Sequence, residues 1–233
     1  MAKKGKRMTA GYEGIDRNAS YSVDEAVKMI KARAVAKFDE TIELALGLGL
    51  DPRKANQNLR SSVILPYGTG KSEKVAVFAQ GDDAKAATDA GADMVGAEDL
   101  IERLKKGPID VNVVIATPDM MKMIAPLAKV LGPKGLMPNP KMGTVTNDVA
   151  ATVAGAKKGQ AGFRLDKAGI IHTSIGRRSF TVEQLTENCK QLLSDIKRLK
   201  PAQAKGQYLK QLSVSTTMGA GIQVDLKSLE QDS

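Results

Sequence analysis

The sequence predicts a mixed α/β protein of two domains: an α+β domain built from both chain ends, and a βαβ domain inserted between them. Three observations predict it. Near the start, "TIELALGLGL" places Ile42, Leu44, Leu46, Leu48 and Leu50 on alternate positions, the period of a strand with one covered face. In the middle, "KVAVFA", "ADMVG" and "VNVVIATP" are short and densely apolar, as strands covered on both faces are, and helical segments alternate with them. The transitions "PYGTGKSEK" and "KKGQAG" are rich in Gly and Lys, as linkers are. The expected domains are residues 1–67 with 160–233, and residues 68–159.

The elements follow in order. "MAKKGKRM" is basic but leads into no apolar stretch, so it reads as an arm that stays on the protein rather than a signal peptide. "SVDEAVKMIKARA" sets Ser22 and Glu25 at capping-box spacing before apolar residues of helical period. "TIELALGLGL" is the first strand, and "SSVILP" is expected to pair with it. The middle supplies the helices "DDAKAATDA", "AEDLIERLKK", "DMMKMIAPLAKVL" and "NDVAATVAGAKK". Between the last two lies "KVLGPKGLMPNPKMGTV", whose density of Gly and Pro excludes both a helix and a central strand. It is a loop after a helix, and a basic one. Then "GFRLDKAGIIHTSIG" gives strand, Gly-containing turn and strand. "TVEQLTENCKQLLSDIKRL" is a long amphipathic helix with Thr181 and Gln184 at capping-box spacing, and "YLKQLSVSTTMG" and "GIQVDL" are two more strands.

Charge narrows the function. The 233 residues carry a net charge of +9, which favours a polyanionic partner. That charge is not evenly spread. Residues 68–159 hold 12 basic and 11 acidic side chains, and the two flanks together carry the remaining +8. The main polyanion-binding face is therefore expected on the split domain. No apolar run approaches the roughly 18 residues of a membrane span.

Enzyme motifs are broken. "GTGKS" ends like a phosphate-binding loop at Gly70, Lys71 and Ser72, but the first glycine would fall on Leu65, and a strand rather than a helix follows. The first strand of the βαβ segment leads into no dinucleotide fingerprint. Asp82, Asp83, Glu98 and Asp99 sit at helix starts, where capping and the helix dipole explain them. Cys189 and His172 are the only residues of their kind, without metal-site spacing, and Cys189 reads as a small packing residue. No metal, cofactor or catalytic set is expected. The competing classes are a nucleotide-using enzyme, which needs an intact phosphate motif, and a basic chaperone or DNA-packaging protein.

Aromatic residues make up 3% of the chain and Trp is absent, so a platform of stacked bases is not expected. Recognition of folded RNA by shape, through backbone, hydroxyl and 2′-OH contacts, fits better. Two segments suit it. "AKFDET" puts Lys37, Phe38 and Thr41 around a strand start, and "STTMG" ends a strand with hydroxyls, a flexible Met and a Gly. On physics alone each has a plainer reading: Phe38 as core, "TTMG" as a turn.

The motifs "AKFDETIEL", "LGPKGLMPNPKMGTV", "FRLDKAGIIH" and "STTMG", in chain order, closely resemble the family of bacterial ribosomal protein one of the large subunit, the L-one stalk protein family. The resemblance covers essentially the whole chain. It implies a split α+β domain with an inserted Rossmann-like three-layer α/β domain. It implies binding to large-subunit ribosomal RNA at the mobile stalk beside the tRNA exit site, where deacylated tRNA is moved and released, and repression of translation through the protein's own messenger RNA leader. The implied partners are that RNA, exit-site tRNA, the leader and other ribosomal components, with no cofactor, no membrane, a cytoplasmic ribosome-bound location and a monomer when free. The RNA-recognition positions it implies are Phe38, Thr41, Thr217, Met218 and Gly219. Lys37, Arg164 and Lys167 are added as phosphate or ribose contacts, and Lys134 and Lys141 as secondary contacts to tRNA or ribosomal RNA.

Overall fold

A computed structural model describes residues 5–16, 19–106, 110–204 and 206–226. The chain divides into two compact units. One comprises the chain up to Gly70 and again from Ala161, and the other is Lys71–Gln160.

In the split unit, a short helix α1 (Lys6–Gly11) precedes α2 (Val23–Arg33). The capping box that opens α2 is closed in both directions: the Glu25 N–H donates to Ser22 Oγ at 3.3 Å, and the Ser22 N–H donates to Glu25 Oε2 at 3.2 Å. Strand β1 (Thr41–Leu48) buries Ile42, Leu44, Leu46 and Leu48 and turns its other residues outward. Strand β2 (Arg60–Ile64) pairs with β6 (Gln160–Arg164), not with β1 as expected. The reason is that both edges of β1 are taken. It runs antiparallel to β7 (Ile170–Arg177) on one side and to β8 (Leu209–Thr216) on the other, and β9 (Gly221–Val224) extends the sheet in the order β7-β1-β8-β9. Alternation marks a strand's two faces but says nothing of its neighbours.

Helix α8 (Val182–Arg198) completes this unit, and its Thr181–Gln184 capping box also forms in both directions. Its buried stripe of Leu185, Cys189, Leu192, Leu193 and Ile196 joins Val27 and Ile30 of α2 in one apolar core with the inward residues of the sheet. Burial pushes the Cys189 thiol up to about 12, consistent with a packing residue. Asn188, fully buried on the same helix, ties down the chain as it leaves this unit. Its Oδ1 accepts from the Tyr67 N–H at 3.1 Å, and its Nδ2 donates to the carbonyls of Gly68 and Ile175 at 3.0 and 2.8 Å. Arg177 Nε adds a bond to the Gly70 carbonyl at 3.0 Å. The expected break lay at 67/68; the side chains of Asn188 and Arg177 hold residues 67–70 on the split unit.

The other unit is a three-stranded parallel sheet, β4 (Met94–Gly96), β3 (Val75–Phe78) and β5 (Val113–Ala116), in the order β4-β3-β5. Helices α3 (Asp82–Asp89), α4 (Glu98–Lys106) and α7 (Val149–Lys157) accompany it. Two apolar clusters draw on the sheet, one joining Ala76 and Phe78 to α4 and the segment after β5, the other joining Val75 and Val77 to α7. Asp82 and Asp83 lie in the first turn of α3, where they favour its dipole, but the N-cap is Gly81 and makes no side-chain bond. The helix expected through "DMMKMIAPLAKVL" is interrupted. It forms as α5 (Met121–Ile124), a 3-10 turn (Ala125–Leu127) and α6 (Ala128–Leu131). Pro126 sits at the interruption; it lacks a donor and its ring crowds the preceding turn.

The Gly- and Pro-rich loop that follows is built against β5. Asn139 Oδ1 accepts from the Lys141 N–H at 2.8 Å, and Thr144 Oγ1 accepts from the Asn139 N–H at 2.8 Å. Ala116 and residues Thr144 and Thr146 exchange backbone hydrogen bonds. Gly143, at φ +69°, supplies the left-handed turn this path needs.

Candidate nucleic-acid interface

The start of β1 and the end of β8 lie side by side, because Ile42 faces Thr216 in the register. This brings Phe38 and Thr41, from one end of the chain, to Thr217, Met218 and Gly219, from the other. Phe38 is 52% exposed and Met218 45% exposed, so Phe38 is not core. "TTMG" is indeed a turn, with Met218 projecting from it. Two large apolar side chains exposed to water on adjoining segments are the unusual feature of this end of the sheet.

Hydrogen bonds fix the two segments to each other. Thr217 Oγ1 accepts from the Thr41 N–H at 3.1 Å and donates to the Thr41 carbonyl at 3.2 Å, which also accepts from the Thr217 N–H at 3.0 Å. Its hydroxyl proton is thus committed inside the protein, and its first contribution is the shape of the turn. Glu40 is 1% exposed, and its Oε1 and Oε2 accept from the N–H groups of Ala36 and Met218, each at 3.0 Å. Asp39 accepts from the Ser179 N–H and hydroxyl at 3.1 and 2.9 Å, and Arg177 donates to the Asp39 carbonyl at 3.2 Å. The backbone between Ala36 and Glu40 is therefore anchored, while Lys37 and Phe38 point outward from it as exposed residues.

From this end the outward face of the sheet runs along β1 for about 24 Å, at ~3.4 Å per residue. It is largely polar, with serine hydroxyls among longer side chains. One cross-strand row is Ser174, Glu43, Ser215 and Gly221, and the next is His172, Ala45, Ser213 and Gln223. A cleft of about 230 Å³ lies at its β8–β9 side, lined by Gln211, Ser213 and Gln223 opposite Tyr12, Ile15 and Asp16. Arg164 and Lys167 stand at the far end, where Gly47 faces Ile170 and the Gly169 carbonyl accepts from the Leu48 N–H. They are exposed but are not brought together with Phe38 and Met218. The turn that carries Lys167 is shaped by Asp166, which accepts from the N–H groups of Ile170 and Ala168 at 2.8 Å. The Ile170 bond leads in holding the Asp166 carboxyl below its ordinary range, and His172 lies 3.6 Å from it. Lys134 and Lys141 are exposed on the other unit, in the loop built against β5.

Sequence reasoning missed Glu40, the exposed Arg178 whose N–H donates to the Glu40 carbonyl at 2.9 Å, and the hydroxyl rows of the sheet. The period-two placing of Ser213 and Ser215 was a usable signal. Which face of a sheet stays uncovered is settled only by where the helices pack.

Gly70, Lys71 and Ser72 lead into β3 rather than a helix N-terminus, so they form no phosphate-binding loop. No three His, Cys, Asp or Glu side chains among the described residues come together as metal ligands. Among the described residues no helix is long and apolar enough to cross a membrane.

Fold and site together define a class: a basic two-unit α/β protein with exposed apolar side chains at one end of a polar sheet face. The chain belongs to the ribosomal protein L1p/L10e family, whose model matches residues 30–220. It is 54% identical over 229 residues to the large ribosomal subunit protein uL1 of Mannheimia succiniciproducens, covering 98% of this chain and 100% of that protein. It is 55% identical over 229 residues to the proteins of the same name from Laribacter hongkongensis and Bordetella pertussis, covering 98% of this chain and 98% and 99% of theirs. The resemblance carried by the four motifs thus holds over nearly the whole chain, and the protein is a structural ribosomal protein rather than an enzyme.

Proposed function

We propose that this protein is a constituent of the large ribosomal subunit in the bacterial cytoplasm, and that it binds large-subunit ribosomal RNA at the mobile stalk through the split unit. The observation that carries the reading is the half-exposure of Phe38 and Met218, on two segments joined to each other at the head of a polar sheet face. Apolar side chains of this kind pack on ribose and base faces, while hydroxyls, amides and exposed backbone along the sheet meet 2′-OH groups and phosphates. Lys37, Arg164 and Lys167 neutralise phosphate at the two ends of the face, which makes affinity fall with salt. The inserted unit, nearly neutral overall, contributes secondary contacts to exit-site tRNA through Lys134 and Lys141 and so assists release of deacylated tRNA. A free monomer presents the same face to a similar fold in its own messenger RNA leader and represses its translation.

The test is titration of the protein with a stalk RNA fragment at fixed salt. Met218→Asp, which sets a carboxylate against RNA, is expected to weaken binding by about two orders of magnitude, and Thr217→Ala by about tenfold through a looser turn. Unchanged affinity in both variants, with circular dichroism of the wild type, would overturn the site. Equal affinity for duplex DNA would favour the DNA-packaging alternative. The leader RNA must compete with the stalk fragment one for one if a single face serves both.

A further inference from the structure

We propose that Glu40 is the positioning residue of this interface, holding its two halves in register while touching no RNA itself. This rests on the reading of Phe38 and Met218 as RNA contacts. Glu40 is 1% exposed, so it offers no surface to a ligand. Each of its carboxylate oxygens holds one side of the interface. Oε1 accepts from the Ala36 N–H, two residues before Phe38, and Oε2 accepts from the Met218 N–H, 178 residues away in sequence. Its own carbonyl accepts from the N–H of Arg178, which brings a third exposed segment to the same point. A buried carboxylate that accepts from one backbone donor at each oxygen bridges the two segments as a clamp. A carboxamide of the same size has one oxygen and one NH₂, so it can accept from only one of the two amides and must turn donor against donor at the other.

An acidic residue at an RNA interface makes the proposal unusually easy to test, because electrostatics and positioning predict opposite signs. Glu40→Gln removes one negative charge beside a polyanion, so a residue acting only through its field would bind more tightly when changed. A positioning residue would bind more weakly. The expected result is a loss of about tenfold in affinity for a stalk RNA fragment, with the slope of log affinity against log salt unchanged because no phosphate contact is lost.

A double-mutant cycle locates the effect. On a Phe38→Ala, Met218→Ala background, Glu40→Gln is expected to cost less than about threefold, since the side chains it positions are gone. Equal cost on both backgrounds, or unchanged or tighter binding of Glu40→Gln with wild-type circular dichroism, overturns the positioning role while leaving the interface intact. If the Phe38→Ala, Met218→Ala protein binds like wild type, the interface itself is wrong and the role of Glu40 falls with it. Should Glu40→Gln fail to fold, amide hydrogen exchange of the native protein decides the matter. The amides of Ala36 and Met218 are expected to be protected together although both lie outside helices and strands, and exchange of either at the rate of an open loop refutes the clamp.

Discussion

Asn188→Leu removes one side chain and strands three backbone groups. The new residue fills nearly the same volume, so no large cavity is made. What is lost are the acceptor for the Tyr67 N–H and the donor to the carbonyls of Gly68 and Ile175, at a site where Asn188 and Gly68 are both buried. A buried backbone group left unpaired costs about 1–3 kcal/mol. Taking the low end for each, because water reaches the neighbouring exposed Tyr67, the loss is about 3 kcal/mol. For a unit of this size that corresponds to roughly 9 °C in the melting temperature, at about 3 °C per kcal/mol. Urea unfolding followed by circular dichroism measures it directly, with the slope m serving to confirm that the same surface unfolds. A loss below about 1 kcal/mol at unchanged m would show that residues 67–70 are held by something other than this amide.

The remaining expectations concern other parts of the molecule. Lys157, 2.6 Å away, leads the causes that hold the Asp93 carboxyl below its ordinary range, and the Val75 N–H is the next. A depressed carboxylate adds stability that is present above its unfolded pKa of about 3.9 and is lost as pH falls through the folded value. Asp93→Asn should therefore flatten the acid-side stability curve of the inserted unit, by less than about 1 kcal/mol because both partners are a third or more exposed; urea midpoints from pH 3 to 6 check it. A Cβ at Gly219 would lie 2.2 Å from the hydroxyl of Thr216, which is 4% exposed, so Gly219→Ala must shift the turn. RNA titration should show about a fivefold to tenfold loss for about 1 kcal/mol of stability, whereas Gly221→Ala, with nothing within 4 Å, should keep wild-type stability. Finally, Cys189, its thiol pushed up to about 12 in the core, should resist alkylation at neutral pH and react only when urea unfolds the chain, as mass spectrometry can follow.

Local rules carried far in this sequence. Ser22 with Glu25 and Thr181 with Gln184 marked two helix starts because a capping box closes over three residues. The buried alternation of β1 was equally plain. Pro126 lies within apolar spacing of helical period, so the break between α5 and α6 shows only in the structure. What could not be read was anything set by partners distant in sequence. β2 could not be assigned to β6, because pairing depends on which edges are already occupied. The clamp at Glu40 joins residues 178 positions apart, and nothing near Glu40 in "AKFDET" announces its partner. The same blindness affected Phe38. A lone aromatic beside a strand is usually core, and only the fold shows that its side chain stays in water.

The strand order β7-β1-β8-β9 has a consequence for how the chain is born. Synthesis runs from the N-terminus, so all of Lys71–Gln160 has been made before either neighbour of β1 exists. The inserted unit can complete its sheet as soon as it emerges. β1, made earlier, must wait as an unpaired, apolar strand until β7 and then β8 follow, more than a hundred residues later. Closing so long a loop is slow, and an unpaired edge is exposed to wrong partners meanwhile. The turn that carries Met218 comes after β8. The surface proposed to meet RNA is thus among the last parts of the molecule to take shape, and a chain cut short by its final two strands would lack that face altogether.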